Sequence, residues 1–245
     1  MLELALHYIE KGWPVFPLNG KVPAIPKDRG GHGCLDATLD PTRVEAWWAE
    51  YPDANIGIAT GERSGLLVVD VDPRKTDKWL ASLRELFLPK TFTVHTCSGG
   101  WHLYFALPAG AGITIGADLL PGIDWRGSGG YVVGAGSSVN GSLYTIAKNL
   151  PISGVPKGLL ERIHAKRKFR TVEYTTTGDM VIPASRRNDT LVRIAGSLRR
   201  WGIEHDAILE SLRSINANHC NPVLADAELE QIATSVVRYT PSGAA

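Results

Sequence analysis

The sequence predicts an α+β or mixed α/β domain, followed by a small all-α helical bundle, and three observations carry that prediction. Over residues 1–165, short β-like runs are interspersed with helical-period segments. A basic and polar stretch at 166–184 then reads as a linker. Beyond it, at 185–241, the hydrophobic period is helical throughout.

The chain opens with Leu2, Ala5, Leu6 and Ile9 at i, i+3, i+4 and i+7, a helix that Gly12 separates from the apolar strand Trp13 to Leu18. Lys21 to Gly33 is rich in Gly, Pro and charge and reads as a loop. Asp40-Pro41 supplies an N-cap and an N1 proline to a helix through Trp47 and Trp48, which Pro52 ends. Two β-like runs, Asn55 to Thr60 and Leu66 to Asp72, flank the turn-prone Gly61-Glu62-Arg63-Ser64-Gly65 in a hairpin-like connection. A helix over about residues 75–87 leads to strands at Phe92 to Thr96, Trp101 to Leu107, Tyr131 to Ala135 and Leu143 to Ile146. In the bundle, one apolar stripe joins Leu191, Ile194, Ala195 and Leu198. A second joins Ile208, Leu212 and Ile215, and a third Leu229, Ile232, Ala233, Val236 and Val237.

Of the 245 residues 44% are hydrophobic and 21% charged, with 26 basic against 25 acidic side chains. That balance excludes a disordered tail, a fibre or a supercharged nucleic-acid binder. No apolar run approaches the roughly 20 residues of a bilayer span. Glu3 and Glu10 interrupt the N-terminal apolar pattern, which is unlike a secretory signal. A soluble cytoplasmic protein with no membrane partner is expected. Cys34, Cys97 and Cys220 are few, distant and lack zinc-ligand spacing, so reduced thiols and no zinc are expected.

The near-neutral total conceals a net of −2 over residues 1–156, +7 over 157–200 and −4 over 201–245. Lys166, Arg167, Lys168, Arg186, Arg187, Arg199 and Arg200 lie in the basic block. Such a strip either follows the phosphates of DNA or is a solvated helix end and linker.

The sharpest local feature is Leu66-Leu67-Val68-Val69-Asp70-Val71-Asp72-Pro73, an apolar strand ending in two aspartates at i and i+2, hence on one face. Two carboxylates so close repel unless a hard cation joins them, and oxygen ligation suits Mg²⁺ or Mn²⁺. The alternative is a strand running into a turn, with Asp72-Pro73 capping the next helix. Asp124 and Arg126 precede a glycine turn and an apolar strand, and three carboxylates converge if that strand neighbours the first. Arg126 then faces either a phosphate or a neighbouring acid. Between these elements, Ser98-Gly99-Gly100 offers a tight turn whose exposed amides suit phosphate oxygens, with His102 on the strand after it. A plain hairpin with a core histidine is the competing reading of that stretch. No P-loop, no G-x-G-x-x-G helix start, no nucleophile elbow and no metalloprotease motif is present.

In order along the chain stand VVDVD at 68–72, SGGWHLYF at 98–105 and GIDWRGSGGYVVGAGS at 122–137. Together with GWPVFPLNGKVPA at 12–24 and LDATLDPTRVEAWWAEYPDANIGIATG at 35–61, they resemble the three motifs and flanks of the bifunctional primase-polymerase domain. That domain belongs to the archaeo-eukaryotic primase superfamily and occurs in replication proteins of phages, plasmids and prophages. The tail, SRRNDTLVRIAGSLRRWGI and INANHCNPVLADAELEQIATSVVRY, resembles the helical primase C-terminal domain that often follows it.

The resemblance implies an α+β, archaeo-eukaryotic primase-like mixed-sheet core that makes primers on single-stranded DNA from nucleoside triphosphates and extends them, in a bacterial or phage-infected cell. Asp70, Asp72 and Asp124 would hold two Mg²⁺ or Mn²⁺ ions. His102 and the Ser98-Gly99-Gly100 turn would hold the incoming triphosphate, with Arg126 and Lys21 as further nucleotide contacts. A replicative helicase is the implied partner, and a chain ending at Ala245 just after its last helix reads as a monomeric piece of a longer replication protein. Two competitors stay open. Asp-x-Asp after an apolar strand also marks sugar-nucleotide transferases, and a catalytically silent DNA-binding module would keep the fold alone.

Overall fold

The computed structural model describes residues 1–170 and 181–238, with side chains 167–170 not described. The chain forms two units, Met1–Val172 and Glu173–Ala245. The first unit begins with α1 (Leu2–Glu10), β1 (Val15–Asn19), β2 (Val22–Pro23), α2 (Pro41–Glu50), β3 (Asn55–Ala59) and β4 (Leu66–Val71). Then come α3 (Trp79–Glu85), β5 (Thr93–His95), β6 (Trp101–Ala106), β7 (Gly116–Leu120), β8 (Ile123–Arg126) and β9 (Tyr131–Val133). The hairpin β10 (Ser138–Val139) and β11 (Ser142–Leu143) precedes β12 (Thr145–Lys148), β13 (Ser153–Gly154) and α4 (Lys157–Arg170).

Two sheets result. The smaller has the order β2-β1-β3-β9, and the larger β12-β5-β6-β4-β8-β7 with β13 added beside β6. The β13–β6 pair is parallel and the other pairings are antiparallel, so the larger sheet is mixed through that one pair. Central strand β4 explains its own composition: Leu66 and Val68 enter one core and Leu67, Val69 and Val71 another, so both faces are apolar. The first core fills the space between the sheets and beneath α1 and α2, with Ile56, Ile58, Tyr104 and Val132. The second packs Phe105, Ile123 and Trp125 against Leu159 and Ile163 of α4. The α2 start is as expected: the Asp40 carboxylate accepts the Thr42 N–H, with Pro41 at the first helical position.

Several expectations change. The connection over Gly61 to Gly65 is hairpin-like only at its base, where Gly61 and Leu66 form one antiparallel bridge, and the runs then part, since β3 and β4 belong to different sheets. The reason is at Gly61, which takes φ +89°, and whose added Cβ would stand 2.3 Å from the Ser128 backbone. There the β3–β4 crossing packs on the β8–β9 crossing: Thr60 Oγ1 donates to the Gly127 carbonyl (2.7 Å), and the Glu62 N–H to Ser128 Oγ (3.2 Å). The helix expected over 75–87 is only Trp79–Glu85, because Asp72 starts a separate short turn, Pro73–Lys75. The strand expected at Leu143 to Ile146 is divided between β11 and β12 around Tyr144. Helix α4 continues to Arg170, inside the stretch read as linker.

The second unit contains β14 (Ile182–Pro183), α5 (Arg187–Arg200), α6 (His205–His219), β15 (Cys220–Asn221) and α7 (Asp226–Val237). The three predicted stripes meet in one core of Leu191, Ala195, Ile208, Leu212, Leu229 and Ala233. The unit is not all-α, because β14 and β15 form a short parallel pair. Buried Asn216 is satisfied by the Leu224 backbone, donating to its carbonyl and accepting its N–H. Among the described residues, no helix is long and apolar enough to cross a membrane.

Candidate active site

The face of β4 that buries Leu66 and Val68 continues, two residues further on, into Asp70 and then Asp72 beyond the strand end. Register sets Asp70 opposite His102 of β6 on one side and Asp124 of β8 on the other. Two positions back on the same face, Val68 pairs with Tyr104 and Arg126. A row of acid, acid and imidazole therefore crosses three neighbouring strands, with an arginine beside it. Asp70 and Asp124 do come together, but through β8 itself, while Asp72 lies just past the end of β4. The strand after the glycine turn, β9, joins the smaller sheet.

Asp70, Asp72, His102 and Arg126 line a cleft of about 330 Å³, near the lower end of ligand-cleft sizes. Both sheets contribute, since Lys21, Tyr131 and Val132 stand on its other side, and Ser98, Arg74 and Tyr144 also reach it. Asp124 is not among the lining residues, and its side chain is 9% exposed.

Each acid is matched by a basic side chain. Arg126 Nη2 and Nε donate to Asp70 Oδ2 at 2.6 and 3.2 Å. Arg74 donates to Asp72 from its backbone N–H (3.0 Å), Nε and Nη2 (both 2.9 Å). Lys75 Nζ donates to both oxygens of Asp124 at 2.8 Å, and the Asp118 N–H adds a bond of 3.0 Å to Oδ1. The Arg74 guanidinium holds Asp72 below the usual carboxylate range and is itself raised by it. Burial works against the Lys75 ammonium, but Asp124, helped by Asp118 and Asp70, keeps its pKa above the ordinary value. In this structure Arg74, Lys75 and Arg126 neutralise the close acids. Asp72 also performs the capping role of the competing reading, though on the short turn Pro73–Lys75.

Arg74 and Lys75 were not expected at the site. Their signal lies in the spacing: two basic residues fall two and three positions after Asp72, within reach of acids around the same turn.

His102 is buried, with Nε2 3.7 Å from Asp70 Oδ1 and the ring 5.8 Å from that of Tyr144. Burial, only partly offset by Asp70, lowers its pKa to about 4. It is a neutral imidazole at ordinary pH, with one nitrogen a donor and the other an acceptor. Its Nδ1 has no hydrogen-bond partner among the described residues.

The turn before it departs from expectation. The Gly99 N–H donates to the Thr96 carbonyl (3.0 Å) and the Gly100 N–H to Thr96 Oγ1 (3.0 Å), so these amides are already engaged. Gly100 serves close packing instead, since a Cβ there would lie 2.2 Å from the Val71 carbonyl oxygen. Ser98 remains at the cleft, its hydroxyl 3.2 Å from that of Thr96. Lys21 is exposed on the opposite wall, where its carbonyl accepts from the Tyr131 hydroxyl (2.8 Å).

The basic strip is heterogeneous. Lys166 is half-buried in α4, whereas the Arg167 and Lys168 side chains lie outside the described residues. Arg187 donates to the carbonyls of Pro222 and Val223, and Arg199 to Ile203 and Glu204, so both hold the second unit together. Arg186 and Arg200 are exposed.

The oxygen chemistry of the three carboxylates suits a hard divalent cation. As they stand, however, no group of three or more His, Cys, Asp or Glu side chains among the described residues is placed to hold a metal ion.

Residues 5–158 match the family described as bifunctional DNA primase/polymerase, N-terminal, and residues 176–242 match the family primase C terminal 1. No curated protein matches the chain. Neither family match supports a sugar-nucleotide transferase. With its larger match spanning the whole cleft, and the second family following in the expected order, the chain belongs to the bifunctional DNA primase/polymerase family and carries a primase/polymerase function in DNA replication.

Proposed function

We propose that the chain is a template-dependent nucleotidyltransferase that makes primers on single-stranded DNA and extends them, on an archaeo-eukaryotic primase-like core. The observation that carries this reading is the cross-strand row Asp124, Asp70 and His102, with Asp72 and Arg126 at the same cleft. In the reaction a hydroxyl of the primer, or of a first nucleotide, attacks an α-phosphate and pyrophosphate leaves. Both reactants are anionic, so the site must supply positive charge.

Lys21 and Arg126 stand on opposing walls of the cleft, where they would grip the triphosphate from two sides, Arg126 through its planar fork. Ser98 would add a hydroxyl donor. His102, neutral and rigidly packed, would orient a phosphate oxygen or the attacking hydroxyl by a hydrogen bond. Asp70, Asp72 and Asp124 would hold one or two Mg²⁺ or Mn²⁺ ions, which when bound supply Lewis acidity and offset charge on pyrophosphate. Lys166, Arg186 and Arg200 would contact template phosphates. A helicase partner and a bacterial or phage-infected cell complete the proposal.

The test is primer synthesis on single-stranded DNA with labelled nucleotides and Mg²⁺ or Mn²⁺, with and without a supplied primer. Template-dependent products that disappear in Asp70→Ala/Asp72→Ala are expected. Absence of incorporation by folded wild-type protein overturns the reading.

One observation favours a second reading. Because the acids are already neutralised by Arg74, Lys75 and Arg126, a catalytically silent DNA-binding module could keep them at little electrostatic cost. That module would show little Mn²⁺ affinity and no loss of it in Asp70→Ala.

A further inference from the structure

A carboxylate has about four lone-pair sites. On Asp124 all four are taken: Oδ1 accepts from Lys75 and Asp118, and Oδ2 accepts from Lys75 and, at 3.5 Å, from Arg126. On Asp72, Arg74 takes three. Asp70 is different, since Arg126 engages only Oδ2, and Oδ1 has the His102 ring at 3.7 Å. A cation can therefore approach Asp70 directly and Asp72 only at the one remaining site on Oδ2, beside the Arg74 guanidinium; it can take both oxygens of Asp72, or recruit Asp124, only if a basic side chain leaves.

We propose that Arg74 and Lys75 are resident counter-ions of the site, which hold Asp72 and Asp124 in the metal-free protein and yield them to a divalent cation. Asp70, Asp72 and Asp124 are balanced by Arg74, Lys75 and Arg126, with the exposed Asp118 also 3.9 Å from Lys75, so a bare doubly charged ion gains little there. Once an anionic nucleotide is present, the displaced cations have a new partner. Arg74 already lines the cleft, and both side chains extend from the short turn Pro73–Lys75. Arg74 is 61% and Lys75 39% exposed, so they can swing away without repacking the core. The device also prevents the acids from being left bare between turnovers, when like charges on neighbouring strands would repel.

The inference rests on the proposed metal-binding role of the three acids. Its test is Mn²⁺ binding without nucleotide, followed by the electron paramagnetic resonance signal of free Mn²⁺. Wild type, Arg74→Gln, Lys75→Gln, Lys78→Gln and Asp72→Asn are compared, each checked for native circular dichroism. Arg74→Gln and Lys75→Gln should bind Mn²⁺ at least threefold more tightly than wild type. Lys78→Gln removes the same charge three residues after Lys75, but exposed Lys78 is not among the cleft-lining residues and makes no ion pair among the described residues, so its affinity should stay near wild type. Equal affinity in Arg74→Gln and wild type, or an equal gain in Lys78→Gln, overturns the inference while leaving the metal site standing. Mn²⁺ binding that Asp72→Asn does not weaken overturns the metal reading itself. If Lys75→Gln fails to fold, Arg74→Gln decides alone, because its side chain is largely in solvent.

Discussion

Two arginine-and-acid clusters, one in each unit, use the same chemistry for different ends. In the second unit Arg213 of α6 donates to both oxygens of Asp226 (2.7 Å each) and to Glu210 (2.6 Å), tying α6 to the start of α7. All three side chains are well exposed, and water would replace any lost partner. At the cleft, Asp124 has no such recourse, because it is nearly buried between Lys75, Arg126 and a backbone amide. Hydrogen-bond lengths in the two clusters are alike. Burial, not geometry, decides which pair the fold depends on and which it merely carries.

Removal of one partner is the strongest way to break the comparison. Lys75→Met should destabilise the metal-free first unit by about 3–5 kcal/mol, the usual cost of stranding a buried charge. Lys75→Met/Asp124→Asn should recover most of it. Tryptophan fluorescence in urea reads this out selectively, since six of the seven tryptophans lie in the first unit. A loss under about 1 kcal/mol would place Asp124 with the exposed acids.

Acid should separate the clusters next. His102 folds with its pKa lowered from 6.5 to about 4 by burial, so the unfolded chain takes up its proton first as pH falls. Its contribution is therefore intact above about pH 6.5 and is lost progressively down to about pH 4, amounting to about 3 kcal/mol. Asp72, held low by Arg74, adds a further loss only below the ordinary carboxylate range. In EDTA, His102→Gln should flatten the slope between pH 6.5 and 4, and an unchanged slope would assign it to other groups. The smallest effect belongs to Arg213→Gln, expected to shift stability by no more than about 1 kcal/mol and less at high salt.

Much of the site was legible because strands alternate. Asp70 and Asp72 share a face for the same reason that Leu66 and Val68 share a core, and His102 follows its glycine turn in a single strand. The hydrophobic stripes of α5, α6 and α7 were equally plain. Strand β8 was not seen, although Ile123, Asp124, Trp125 and Arg126 alternate and follow the turn signal Pro121-Gly122. Sheet membership was illegible for a physical reason: pairing partners such as β3 with β9 are chosen by long-range packing that no local pattern records. The engaged amides of Gly99 and Gly100 were hidden likewise, because Thr96 is an ordinary strand-end residue until its hydroxyl is placed.

The packing of Gly61 on Ser128 reaches further than the turn it permits. The cleft takes one wall from each sheet, and at this spot two of the chain's passages between the sheets are fastened to each other. A methyl group at position 61 would collide with the Ser128 backbone without touching an acid, so the join that ties the two sheets beside the cleft depends on a residue with no side chain at all.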